Sequence, residues 1–159
     1  MATGSREIER KFLVRQLPPN LEQFAHYEIE QGYLAIAQGG TQVRLRRSSE
    51  NRTLTFKRGA GNAREEREVE LTREQFERLW PGTEGKRLTK TRYDVPMGNL
   101  TIEIDIYSGR HSGIVVAEVE FDDESAAQEF QPPRWLGDDV THDPRYSNQL
   151  LACDGKLPD

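Results

Sequence analysis

The strongest constraint on the fold of this chain is a repeated alternation in which like charges stand two residues apart on otherwise apolar segments. Leu100 to Tyr107 shows it most cleanly, with Leu100, Ile102, Ile104 and Ile106 interleaved with Thr101, Glu103, Asp105 and Tyr107. Successive side chains of a β-strand point to opposite faces, so this segment has one aliphatic face and one polar face. The pattern returns in Glu7, Glu9 and Lys11, in Arg44 and Arg46, in Thr55 and Lys57, in Glu66, Glu68 and Glu70, in Lys90 and Arg92, and in Glu118 and Glu120. Like charges at that spacing repel, and need an ion or an opposite charge between them.

Read for periodicity and breakers, the chain gives eight strands: Glu7–Val14, Tyr27–Ala37, Gln42–Ser48, Thr53–Arg58, the Glu66–Leu71 region, Lys86–Val95, Leu100–Tyr107 and Ile114–Phe121. Gly32 suggests a bulge in the second strand. Short helices are expected around Leu21 to Ala25, after the capping-box sequence Thr72-Arg73-Glu74-Gln75, over Asp123 to Phe130, and from Asp143-Pro144 through Leu151. Mostly short connections imply antiparallel neighbours. The expected architecture is α+β and mostly β: an eight-stranded antiparallel barrel closed into a tunnel, with three or four helices packed outside and at one mouth. Its aliphatic face packs under helices and its charged face turns inward. An open antiparallel sheet with one face in water would show the same alternation.

Residues 1–159 read as one domain, with residues 1–5 a loose end. Only 35% of the chain is hydrophobic and 31% is charged, which suits a core that shares the interior with polar groups. The net charge of −5 argues against nucleic-acid binding through a basic exterior. Cys153 is the only cysteine, so neither an internal disulfide nor a cysteine zinc site is expected. No apolar run approaches the ~18 residues of a membrane span, and no signal h-region is visible; a cytoplasmic protein with no membrane partner is expected. A homodimer is compatible with the sequence.

The charges sort into two chemistries. Lys11, Arg44, Arg46, Lys57, Lys90 and Arg92 could grip a linear polyanion through charge-assisted bonds. Glu7, Glu9, Glu118 and Glu120, with Glu103 and Asp105 nearby, offer hard oxygen ligands suited to Mg²⁺ or Mn²⁺. Metal held by carboxylates beside phosphate oxygens is a recurring arrangement for cleaving phosphoanhydrides.

Glu7-Ile8-Glu9-Arg10-Lys11 resembles the ExExK signature of the CYTH superfamily, the triphosphate tunnel metalloenzymes, and the later RxR, Lys-bearing, ExE, KxR and ExE strands follow in that family's order from about Arg6 to Leu151. The resemblance implies metal ligation by Glu7, Glu9 and Glu120, with Glu118 and Asp105 close by, and phosphate binding by the six cations. It further implies that Glu66 and Glu68 position metal-bound water or a second ion; in the hydrolysis expected here, Lys90 or another basic residue stabilises the leaving oxygen. The chain is most similar to the short bacterial members, for which the implied activity is hydrolysis of inorganic tripolyphosphate to pyrophosphate and phosphate, a small polyanionic substrate. The alternatives are a nucleotide enzyme (adenylate cyclase, nucleoside triphosphatase or thiamine triphosphatase) and a non-catalytic polyphosphate- or nucleotide-binding module. Tyr33, Tyr93 and Tyr107 are the candidates for a base contact; His26, His111 and His142 read as bystanders.

Overall fold

The strands form where the alternation is strongest. β1 (Ser5–Val14), β2 (Ala25–Ile36), β3 (Gln42–Ser48), β4 (Asn51–Arg58) and β5 (Ala63–Glu70) precede α1 (Arg73–Leu79). After them come β6 (Arg87–Met97), β7 (Leu100–Tyr107), β8 (Val115–Phe121), α2 (Glu124–Glu129), β9 (Leu136–Asp139) and α3 (Asn148–Asp154). The structure, a computed structural model, describes residues 5–59 and 63–154, and for residues 5–7, 63, 64 and 154 the backbone alone. The expected loose end at 1–5 therefore lies outside the described residues except for Ser5, which opens β1.

The fold is α+β and mostly β, with one antiparallel sheet in the order β5-β4-β3-β2-β6-β7-β8-β1-β9 and a further pairing between β5 and β1. β1 is shared among three neighbours. Ser5 to Ile8 pair with β5, Ile8 to Leu13 pair with β8, and Phe12 and Val14 pair with β9. The expected barrel of eight strands closed along its length is corrected accordingly: the sheet has nine strands and meets itself only along Ser5–Ile8, beyond which the edge of β1 turns to β9.

The aliphatic face lies where the alternation predicts. Phe12, Ile102, Ile104, Ala117, Val119 and Phe121 pack with Ala127 of α2, with Phe130 and Leu136, and with Leu21 from a 3-10 turn at Leu21–Gln23. Burial of each such side chain contributes roughly 1.5–3 kcal/mol. The opposite face is not uniformly polar. Towards α3 it becomes apolar, where Tyr33, Leu88, Tyr107 and Val116 pack with Leu151 and Ala152 of α3.

Two local expectations change. The irregularity in β2 falls between Tyr33 and Ala35, not at Gly32. Gly32 is required for another reason: a Cβ there would lie 2.6 Å from the Thr83 Cβ, so glycine lets β2 approach the 3-10 turn at Trp80–Thr83. The final helix starts with the expected Asp143 cap, which accepts from the Arg145 N–H, but it is a 3-10 turn at Pro144–Tyr146 followed by a separate α3. The Thr72–Gln75 capping box forms in full. Among the described residues no helix is long and apolar enough to cross a membrane.

Candidate active site

The polar part of the second sheet face lines a cavity of about 630 Å³, within the range of small-molecule sites. One wall is basic. Spacing two on β3 sends Arg44 and Arg46 to the same face, and Lys57 of β4 joins them. Arg44 is buried; its guanidinium reaches Thr55 Oγ1 at 3.5 Å, and its Nε has no hydrogen-bond partner among the described residues. Arg46 Nε and Nη2 donate to Gln31 Oε1 at 3.1 and 2.9 Å. Burial, with Arg44 and Arg92 near, pulls the Arg46 proton affinity down to about 10. A buried donor with no acceptor is costly, so this wall is built to receive an anion.

The cations of β6 are placed differently. Lys90 is fully buried, donates to Asp105 Oδ2 at 2.7 Å and lies over the Tyr107 ring. Arg92 clasps Asp105 through Nε at 2.7 Å and Nη2 at 2.9 Å, and reaches Glu103 at 3.2 Å. Register explains the clasp, since Arg92 stands directly opposite Asp105. Burial would raise Asp105, but Lys90 and Arg92 outweigh it and hold the carboxylate below its usual range. Burial also lowers Lys90, against the pull of Asp105. Asp105, expected as a metal ligand, is thus a counterion beneath the wall with both oxygens engaged. Lys90, expected beside the leaving oxygen, is enclosed with it instead of lining the cavity.

The acidic wall comes from β1, β7 and β8. Glu9 stands opposite Glu120, Lys11 opposite Glu118, and Glu118 opposite Glu103. Lys11 Nζ lies 3.7 Å from Glu118 and donates to the Tyr146 carbonyl at 2.9 Å. Burial would raise Glu118, but Lys11, Arg92 and Lys90, with a hydrogen bond from Glu9, hold it well below its usual range. Burial raises Glu103, which Arg92 only partly offsets. Among the described residues no three His, Cys, Asp or Glu side chains already enclose a metal position. The donor set nevertheless fits a hard divalent cation: it is all carboxylate, and the in-register pairs Glu9/Glu120 and Glu103/Glu118 place like charges across adjacent strands, a costly arrangement that a cation relieves. The side chain of Glu7, the remaining expected ligand, lies outside the described residues.

On β5, Glu66 is in register with Lys57, and Glu68 accepts from Thr55 Oγ1 at 2.7 Å; both carboxylates line the cavity. The chain from Val140 to Leu150 forms the remaining side, tied down by Val140 N–H to Lys11 O at 2.8 Å and Gln42 to Gln149 at 2.8 Å. His142 lies in that lining. His26 stacks on Tyr93, while His111 is buried against the Leu151 carbonyl.

Ten of the expected residues therefore meet at one cavity: Glu9, Lys11, Arg44, Arg46, Lys57, Glu66, Glu68, Arg92, Glu118 and Glu120. Sequence reasoning missed Gln31 and the Val140–His142 part of the lining, whereas the segment from Asp143 was expected to form a helix at a mouth. Gln31 carries no charge to mark it, and it shares its face of β2 with Tyr27, Ile29 and Tyr33, so nothing in the alternation set it apart.

A family model described as CYTH domain matches residues 5–139. An inorganic triphosphatase of Nitrosomonas europaea is 43% identical over 148 residues, which cover 92% of this chain and 96% of the relative. An inorganic triphosphatase of Acetivibrio thermocellus is 36% identical over 150 residues, covering 92% and 93%. A crystal structure described as that of an inorganic triphosphatase superposes with a TM-score of 0.70 at 39% identity, covering 100% of this chain and 99% of its own.

Proposed function

From the premise that the chain belongs to the CYTH domain family, we propose that it hydrolyses inorganic tripolyphosphate to pyrophosphate and phosphate with a divalent cation, Mg²⁺ or Mn²⁺. The observation that carries this reading is that one cavity combines a basic wall on β3 and β4 with carboxylates on β1 and β8. A pure anion receptor has no use for the second wall. Both relatives named inorganic triphosphatase cover nearly the whole chain and support the same substrate.

In this mechanism Arg44, Arg46, Lys57 and Lys11 hold the phosphate chain, arginine by directed donation and lysine as a point charge, while Arg92, clasped by Asp105 and Glu103, lines the cavity as a weaker contact. Glu7, Glu9, Glu118 and Glu120 would hold the cation, which when bound supplies Lewis acidity at the phosphoryl oxygens. Glu66 or Glu68 orients the attacking water and takes its proton as the water oxygen bonds to the terminal phosphorus. The bond to the bridging oxygen breaks and pyrophosphate leaves. Lys90 adds positive charge behind the wall through Asp105 and Arg92, replacing the direct contact with the leaving oxygen suggested by its place in the sequence.

The nucleotide alternative is weakened by the tyrosines. Tyr107 packs into the apolar end beside α3 and Tyr93 stacks on His26, while Tyr33, which does line the cavity, is buried in that apolar end with its hydroxyl taken by Gln31, so it offers no open ring face for a base. Cytoplasmic location and a small free polyanion as the partner belong to the same reading. Phosphate release from tripolyphosphate, ATP and thiamine triphosphate, each with Mg²⁺ and with Mn²⁺, tests it. Tripolyphosphate should give the highest kcat/KM, and EDTA should abolish turnover. Equal or higher kcat/KM for either organic triphosphate would overturn the substrate assignment, and turnover in EDTA would overturn the metal dependence.

A further inference from the structure

The two pairs of arginine-bearing strands solve the same problem in different ways. On β6 and β7, Arg92 is clasped by a carboxylate, Asp105, and its charge is neutralised where it stands. On β2 and β3 the residue directly opposite Arg46 is Gln31, which is completely buried. Its Oε1 receives both Arg46 Nε and Nη2, and its Nε2 donates to the Tyr33 hydroxyl at 3.1 Å. A guanidinium only donates, so the amide has one usable orientation, and the tyrosine hydroxyl takes up the nitrogen side. No ion pair to Arg46 occurs among the described residues, and the arginine lines the cavity.

We propose that Gln31 is a positioning residue that fixes the Arg46 guanidinium in the cavity wall without cancelling its charge, and that it thereby sets affinity for the polyanionic substrate. A glutamate of the same length could accept from both nitrogens equally well and from the tyrosine hydroxyl besides. It would, however, form the internal pair that Asp105 forms with Arg92, and an incoming phosphate would have to compete with it. The neutral amide keeps the geometry and leaves the full charge for the ligand. Tyr33, held in the apolar end, anchors the amide in turn, so orientation passes from the packed floor to the arginine.

This inference rests on the tripolyphosphatase reading, and the experiment separates the two. Steady-state kinetics on tripolyphosphate are compared for wild type, Q31E, R46A and the double variant, with melting temperatures as a check on folding. In Q31E the KM should rise about tenfold or more while kcat stays within about threefold, because a charge that binds substrate has been paired off internally. On the R46A background, Q31E should add less than about twofold, since it acts through that arginine. Where Q31E does not fold, Q31M, which keeps length but removes the acceptor, should raise KM by about threefold or more. An unchanged KM in the folded variant, a loss confined to kcat, or an undiminished effect of Q31E without Arg46 would overturn the role of Gln31. Wild-type protein with no turnover of tripolyphosphate would defeat the functional reading itself.

Discussion

At the scale of single residues, the cations of this site differ less in charge than in what already holds them. Arg44 presents a buried Nε with no acceptor among the described residues, so its Ala variant should lose mainly substrate affinity. A charge-assisted hydrogen bond is worth about 1.5–3 kcal/mol, and KM for tripolyphosphate should rise by roughly ten- to a hundredfold, with kcat much less affected. Asp105 has the opposite role. Asp105→Asn keeps the volume but leaves Lys90 and Arg92 buried without their shared counterion, and should cost about 3–5 kcal/mol in denaturant unfolding. A loss below about 1 kcal/mol would show that the pair is not structural. These assignments were only half legible beforehand. Lys90, Arg92 and Asp105 all stood out as charges, but the pairing that withdraws Lys90 and Asp105 from the cavity depends on cross-strand register, which spacing along one strand does not contain. Gln31 was invisible for the converse reason, an uncharged side chain among charged neighbours.

At the scale of elements, alternation located β3 and β7 to the residue and most of β4, because side chains along each alternate between the two faces of the sheet. β9 escaped. Leu136-Gly137-Asp138-Asp139 is four residues long, carries no alternating apolar pair, and exists as a strand only because the end of β1 offers an edge. The final helix was foreseen from Asp143-Pro144, but the change at Ser147 from a 3-10 turn to α3 has no comparable mark. Gly32 was read as a bulge, whereas its constraint comes from Thr83, a residue far along the chain. Gly32→Ala should therefore destabilise the protein by about 1–3 kcal/mol, as overpacking does, even though alanine suits a strand better than glycine. An unchanged melting temperature would mean that β2 and the Trp80–Thr83 turn separate freely.

At the scale of the whole molecule, the buried charges give stability a definite dependence on pH. Asp105 and Glu118 are held below their ordinary values of 3.8 and 4.5. As pH falls through those values the unfolded chain takes up protons that the folded chain refuses, so their stabilisation is complete above this window and is lost below it. Glu103 and Asp94, raised by burial, act in the opposite sense: the folded chain binds their protons first, and mild acidification from neutral favours folding through them. Lys90, lowered by burial to about 7, makes stability rise above neutrality, so the acid limb is the diagnostic one: the melting temperature of the metal-free protein should fall steeply once pH drops below about 4. A melting temperature that climbs steadily to pH 3 would contradict the ion-pair assignments.

The hydrocarbon stopper that α3 fits against Tyr33, Leu88, Tyr107 and Val116 makes this a purse more than a pipe. A phosphate chain bound as proposed would meet hydrocarbon at that end, so a polymer longer than the purse should be shortened from its tip, and one blocked at both ends should resist cleavage. Fragments cut from the middle of a blocked polymer would contradict this.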